Sequence, residues 1–326
     1  MFEIKLKIQK KWLDIKLRKN KEYTAKQVRD TSLFALLISS FLKLTALVFF
    51  GLIIIFPFAF MLSISLMPVD QADNLKNNFT FWPESLEWSN FSAAASETAT
   101  GKSYWFSFGL TFTNVLFSIV TKLFVTMLCG YAFSLKQWKG KNIVWTIFIA
   151  LLVLPEVALL NGQYYVVTKI DNSIGWKKDF MGIITIIAIP FIASIFTALM
   201  FRNAFEAIPK RMKEVAMVDR AVGMKYFFKI AVPMVTPTTL TVVILTTIAS
   251  WNSYLWPALV AGTDYQIMSV WLFGVGRIEI GGEEKILQSI KMAGAILVVA
   301  PMFIFYFLFR KRIMRSISRQ GSAIKG

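Results

Sequence analysis

The stretch EVAMVDRAVGMKYFFKIAVPMVTP, Glu214–Pro237, sets a charged amphipathic segment directly ahead of an apolar one. A helix from Ile208 to about Val222 would carry Pro209 in its first turn and Gly223 at its stop. At about 100° per residue, Ile208, Met212, Val215, Val218 and Val222 share one face. Asp219 projects into that face, while Lys210, Lys213, Glu214 and Arg220 lie to the sides and back. A carboxylate within an apolar stripe is costly unless a partner supplies donors. Such a helix, tethered at both ends, suits docking into another protein's groove. Its periodicity also fits a membrane-surface linker.

The surrounding composition fixes the class. Of 326 residues, 56% are hydrophobic, and several apolar runs reach the ~20 residues that a helix needs to cross ~30 Å of hydrocarbon. The chain therefore reads as an all-α polytopic membrane protein. The net charge of +17 would suggest nucleic acid in a soluble protein, but here Lys and Arg mark the cytoplasmic ends of spans. Histidine is absent and Cys129 is the only cysteine, which removes Ser-His-Asp triads, Cys-His nucleophiles and His/Cys zinc sites. Cys129 falls in an apolar run and reads as a packed residue.

Residues 1–30 carry ten Lys or Arg against four acids, interleaved with apolar residues, as in a cytoplasmic segment lying partly on the membrane surface. The run 31–66 contains Lys43, so 31–42 is expected as interfacial helix and 44–66 as the first crossing, with Pro57 tolerated as a kink. Further crossings are expected at 106–135, 142–168, 182–203, 230–259 and 291–310, which makes six. The organisation is then a basic N-terminal extension (1–43), a transmembrane domain (44–310) and a C-terminal tail (311–326).

Charge sets the orientation. Residues 136–141 hold three Lys and no acid, 202–229 seven basic residues against three acids, and the tail from Arg310 six basic residues and no acid. Residues 67–103 hold five acids and two Lys. The positive-inside rule then places both termini in the cytoplasm of a cell whose plasma or inner membrane the chain crosses.

The expected inner spans contain no Asp, and Glu156 beside Pro155 sits near a membrane end. Ion-coupled carriers usually place carboxylates or histidines at mid-membrane, so energy should come from elsewhere. Lys122 is the one ionisable residue deep in a span. It either snorkels to water or lines the pathway and meets a solute or partner chain. Ser118, Thr121 and Lys122 form no catalytic dyad spacing, and no enzyme is expected.

Residue identities sharpen the opening segment. It resembles the EAA motif of ABC importer permeases, E-A-A, two residues, D-G-A, then F, I, P and P at fixed offsets. Glu214, Ala216, Asp219, Ala221, Phe227, Ile230, Pro233 and Pro237 occupy those positions, while Val215 and Arg220 depart from the pattern. The resemblance implies that 208–223 is the coupling helix that docks on an ATP-binding subunit, with Glu214, Ala216, Asp219, Arg220, Ala221 and Gly223 as its coupling residues.

Other segments point the same way. GYAFSL (130–135) is similar to the family's alanine-tyrosine-alanine segment, and FRNAFEAIPK (201–210) to its lead-in to the coupling helix. WNSYLWPALV (251–260) resembles a segment of the carbohydrate-uptake class. The ending GSAIKG (321–326) resembles the glycine-rich terminus of maltose-type permeases.

The resemblance implies a type I importer permease fold for a sugar, oligosaccharide or glycerol phosphate. It also implies a second permease subunit, an ATP-binding dimer and an extracytoplasmic solute-binding protein as partners. Lys122, Trp251, Asn252 and Tyr254 become candidates for the solute path, although Trp251, Tyr254 and Trp256 also fit an interfacial aromatic belt. Gly321, Lys325 and Gly326 become candidates for a tail contact with the ATPase. No Walker A sequence is present, so ATP and magnesium are expected on the partner subunit and no cofactor on this chain. The alternative is a secondary transporter or channel that uses the basic loop only for orientation.

Overall fold

A computed structural model describes residues 10–13, 16, 33–96, 103–135, 138–262 and 264–323. The chain divides into two units, residues 1–58 and 59–326. Helix α1 begins in the first, at Leu33, and continues unbroken to Ser65, through Lys43 and Pro57. The expected division between 42 and 44 is absent, because a lone Lys is a good helix former and its stem tolerates apolar neighbours. The span within α1, Leu37–Ser65, has 29 residues and is largely exposed, as a lipid-facing helix must be.

The second unit is organised around α2 (Tyr104–Ser134). It is followed by α3 (Lys141–Leu151), α4 (Glu156–Ile174), α5 (Phe180–Ala188), α6 (Ile195–Glu206) and α7 (Lys210–Val218). Then come α8 (Met224–Met234), α9 (Thr236–Trp251), α10 (Leu255–Val260), α11 (Met268–Gly274) and α12 (Gln288–Ala323). Among the described residues three helices are long and apolar enough to span, or five if each of two bent pairs counts as one.

The remaining expected crossing, 142–168, is split. Pro155 lacks an N–H and biases its predecessor away from helix, so α3 ends at Leu151 and α4 starts at Glu156. The expected crossing 182–203 bends by 64° between the α5 segment and α6. Pro190 lies in the turn between them, and the Ser194 hydroxyl restarts the helix by accepting from the Thr197 N–H at 3.3 Å. The expected crossing 230–259 bends by 70° between α8 and α9, at Val235 with Pro237 in the next first turn, and α9 stops at Trp251.

A small hairpin interrupts the helical architecture. Strands β1 (Arg277–Ile280) and β2 (Glu283–Ile286) pair antiparallel around Gly281-Gly282, both at positive φ as a two-residue primed turn requires. Lys285 Nζ lies 2.8 Å from an Asp73 carboxylate oxygen, tying the hairpin to the short helix Val69–Asp73. That hydrogen bond, reinforced by the Asp73 charge, raises the Lys285 pKa above its ordinary value.

Helix α2 packs on α5, α6, α9 and α11. It approaches α6 closely at Gly130, where an added Cβ would lie 2.6 Å from Phe201 Cβ and 2.8 Å from the Ala198 carbonyl oxygen. Small residues that let backbones approach are the usual means of joining membrane helices, since lipid supplies no hydrophobic force between them. Gly130→Ala should therefore destabilise the protein by about 1–3 kcal/mol. Gly109→Ala, in the same helix but with open space around it, should be neutral or stabilising by up to about 1 kcal/mol. Unfolding of the detergent-solubilised variants checks both.

Candidate functional site

The segment 208–223 is shorter as a helix than its periodicity suggests. Helix α7 runs from Lys210 to Val218, with Pro209 at its N-cap and Asp219 at its C-cap. Arg220 then turns left-handed, at φ 52°, the one non-glycine residue with positive φ among those described. The Arg220 N–H donates to the Met217 carbonyl at 3.1 Å and the Ala221 N–H to the Ala216 carbonyl at 2.8 Å. This is a Schellman C-cap, which satisfies two carbonyls that the helix end leaves open. Its left-handed position favours glycine, so the motif's usual Gly is explained by backbone conformation, and Arg220 occupies the position at a cost.

The same geometry accounts for the two alanines. Ala216 and Ala221 are buried, as the two residues bracketing a Schellman turn commonly are. Gly223 follows at φ 59° and ψ −130°, a combination that L side chains avoid. Of the predicted apolar face, Ile208 is core, whereas Met212, Val215, Val218 and Val222 are exposed, Val218 at 83%. Glu214 and Asp219 are exposed beside them. The segment thus shows its apolar stripe to the outside.

Aromatic packing anchors both ends of this segment. Phe205 precedes it and Phe227 follows it; both are buried, and both rings contact Tyr131 of α2, at centroid distances of 5.2 and 4.6 Å. A groove of about 640 Å³ lies between Tyr131, Phe205, Glu214, Met217 and Tyr226. Tyr131 thereby joins α2 to the elements on either side of the segment, α6 and α8.

A second site lies along α2. Ser107, Thr111, Asn114, Ser118 and Lys122 recur at spacings of four, three, four and four, which aligns them on one face. Thr111 is satisfied: its hydroxyl donates to the Ser107 carbonyl at 2.7 Å and accepts from the Met268 N–H at 2.8 Å. Farther along, Asn114, Ser118 and Lys122 line a cavity of about 370 Å³ together with Tyr254 and Trp256. Asn114 is 1% exposed, and its side-chain oxygen has no hydrogen-bond partner.

The predicted pathway residues therefore separate. Lys122 and Tyr254 meet at the cavity. Trp251 is core instead, donating its indole N–H to the Val298 carbonyl at 3.2 Å, and exposed Asn252 caps α9 outside the cavity wall. Trp256 is also buried, donating to the Ile186 carbonyl at 3.1 Å, so neither tryptophan forms an interfacial belt. Sequence reading missed Asn114 and Ser118, although their four-residue spacing from Lys122 was the available signal. Gly321 falls in the last turn of α12, while Lys325 and Gly326 lie outside the described residues.

Residues 122–319 match the family described as binding-protein-dependent transport system inner membrane component. Over 321 residues the chain is 40% identical to a probable ABC transporter permease protein of Mycoplasma pneumoniae, covering 97% of this chain and 98% of that one. Most of the N-terminal extension thus has a counterpart there. Identity is 23% over 291 residues to an arabinooligosaccharides transport system permease protein of Halalkalibacterium halodurans, covering 89% of this chain and 98% of the relative. A solved chain of a bacterial ABC transporter involved in the import of the acidic polysaccharide alginate has the same fold, with a TM-score of 0.68 at 19% identity. That likeness covers 87% of this chain and 99% of the other.

The left-handed residue generates a stability prediction. Arg220→Gly should stabilise the solubilised chain by about 1 kcal/mol, and Arg220→Val, β-branched in the same conformation, should destabilise it. Thermal unfolding midpoints of the two variants against the parent check the sign.

Proposed function

The chain belongs to the binding-protein-dependent inner-membrane transport family, as a permease subunit of an ABC importer and not an enzyme, and from that premise we propose that it imports a carbohydrate or related polar solute. The arabinooligosaccharide relative supports the solute class. The partners are a second permease subunit, a dimer of ATP-binding subunits and an extracytoplasmic binding protein. ATP and magnesium sit on the ATP-binding subunits. The charge asymmetry of the loops supports a plasma or inner membrane location with both termini cytoplasmic.

The observation that carries the mechanism is the exposed apolar stripe of 208–223, flanked by Glu214 and Asp219. Apolar side chains left outside the protein core call for a partner surface. Asp219 at a helix C-terminus is disfavoured by the helix dipole, which a donor on the docked subunit would offset. Closure of the ATP-binding dimer pulls on this segment, and the Phe205–Tyr131–Phe227 contacts pass the displacement to the spans. Solute delivered from outside then meets alternating access. Gly321, Lys325 and Gly326 extend the contact with the ATPase through the C-terminal tail.

Charge reversal tests the docking. In reconstituted transporter, Glu214→Lys and Asp219→Lys should each insert normally and retain ATP hydrolysis while solute uptake falls at least ~10-fold. Unchanged coupled uptake in both variants removes the coupling role.

A further inference from the structure

The groove beside α7 has the makings of a lipid site. We propose that it holds one anionic phospholipid from the leaflet at the basic end of the spans, its phosphate on Lys210 and Lys213 and an acyl chain along the apolar wall. Tyr131, Phe205, Ile208 and Ala221 supply that wall. Ser134 and Leu135 also line the groove, and the α2 span ends there, which sets the site at the level of the membrane interface. Beside it, Met224 and Phe228 of α8 are exposed together with Lys225 and Lys229. Apolar side chains reaching into acyl chains next to ammonium groups reaching headgroups are the mark of an interfacial helix. A volume of about 640 Å³ takes a headgroup and the upper part of one chain, the remainder staying in the bilayer.

The polar groups of the wall suit a phosphate. Lys210, Lys213, Glu214 and Met217 recur at helical spacing on one side of α7 and line the groove. Met212, Val215 and Val218 lie roughly 150° round the same helix, so a subunit docked on that stripe leaves the groove side open. Neither lysine has an ion-pair partner among the described residues. The Tyr226 hydroxyl is buried at the groove without a hydrogen-bond partner, so a phosphate oxygen can accept from it. Two cations against one carboxylate leave the wall net positive, which selects a lipid of net negative charge over a zwitterionic one. Glu214 can in turn accept from a headgroup hydroxyl such as that of phosphatidylglycerol. Free phosphate would leave the apolar wall facing water, and burial of that wall commits the site to lipid.

A thiol in the wall reads occupancy without depending on transport. The transporter carrying Cys129→Ser and Ser134→Cys is delipidated in mild detergent and labelled with a maleimide, both assembled and as the lone chain. Added dioleoylphosphatidylglycerol should slow labelling at least tenfold in both, at concentrations where dioleoylphosphatidylethanolamine slows it less than twofold. Glycerol 3-phosphate and inorganic phosphate should give no protection. Lys210→Gln with Lys213→Gln should abolish the protection, Lys210→Arg with Lys213→Arg should keep it, and Tyr226→Phe should weaken it. Lys225→Gln with Lys229→Gln, outside the groove, should leave it unchanged.

Equal protection by the zwitterionic lipid, or protection that survives removal of both groove lysines, overturns the anionic class. Protection by glycerol 3-phosphate or inorganic phosphate as strong as by the lipid reduces the site to a bare anion pocket and overturns the lipid. A thiol already shielded before lipid is added, whether by the ATP-binding subunit or in the lone chain, leaves the groove no room for one and overturns the proposal.

Discussion

The close approach of α2 and α6 at Gly130 is the constraint on which the rest of the architecture depends. With backbones this near, the large residues of α6, Phe201 and Phe205, fill the space on either side and are fully buried. Helix α2 then serves two sites. Its Tyr131 end holds the aromatic contacts that flank 208–223, and its middle presents Asn114, Ser118 and Lys122 to the cavity. One helix is thus shared by the aromatic contacts flanking 208–223 and by a polar cavity, which makes it a direct physical connection between them. It requires no chain of small displacements through loops.

The segment 208–223 carries two costs that the isolated chain does not recover. Arg220 is held left-handed where glycine would be at ease, and the Met212–Val222 stripe faces outward. Both make sense for a surface completed by another subunit. An exposed guanidinium at the tip of the turn can meet an acid that a glycine could not. The Schellman turn is retained because Ala216 and Ala221 remain small and buried around it. The altered residue therefore changes what the segment presents while leaving its path intact.

Much of this was legible in the residues. Hydropathy located the apolar segments, and the ordering of Glu214, Ala216, Asp219, Ala221, Phe227 and Pro237 pointed to the family. What hydropathy could not register were interruptions within apolar runs, because Pro155 and Pro190 break hydrogen-bonding without making the run polar. Helical periodicity extended α7 to Val222, since nothing in a face-by-face count signals that Arg220 adopts a conformation it disfavours. The Gly281-Gly282 turn carries a hairpin signal that a search for apolar spans passes over. Trp251 fitted either the solute path or an interfacial belt by its sequence and is core, because tertiary packing decides the fate of an aromatic residue near a span end.

The most direct measurement is thiol reactivity at the outward stripe. In a Cys129→Ser background, the Val218→Cys variant is labelled in the lone chain and in the ATP-hydrolysing complex, with a Ser173→Cys variant, at an exposed position of α4, as the reference. Docking of 208–223 on the ATP-binding subunit predicts that the thiol introduced on the stripe loses its reactivity on assembly while the reference thiol keeps it. Equal labelling of the stripe thiol in both states would contradict the account.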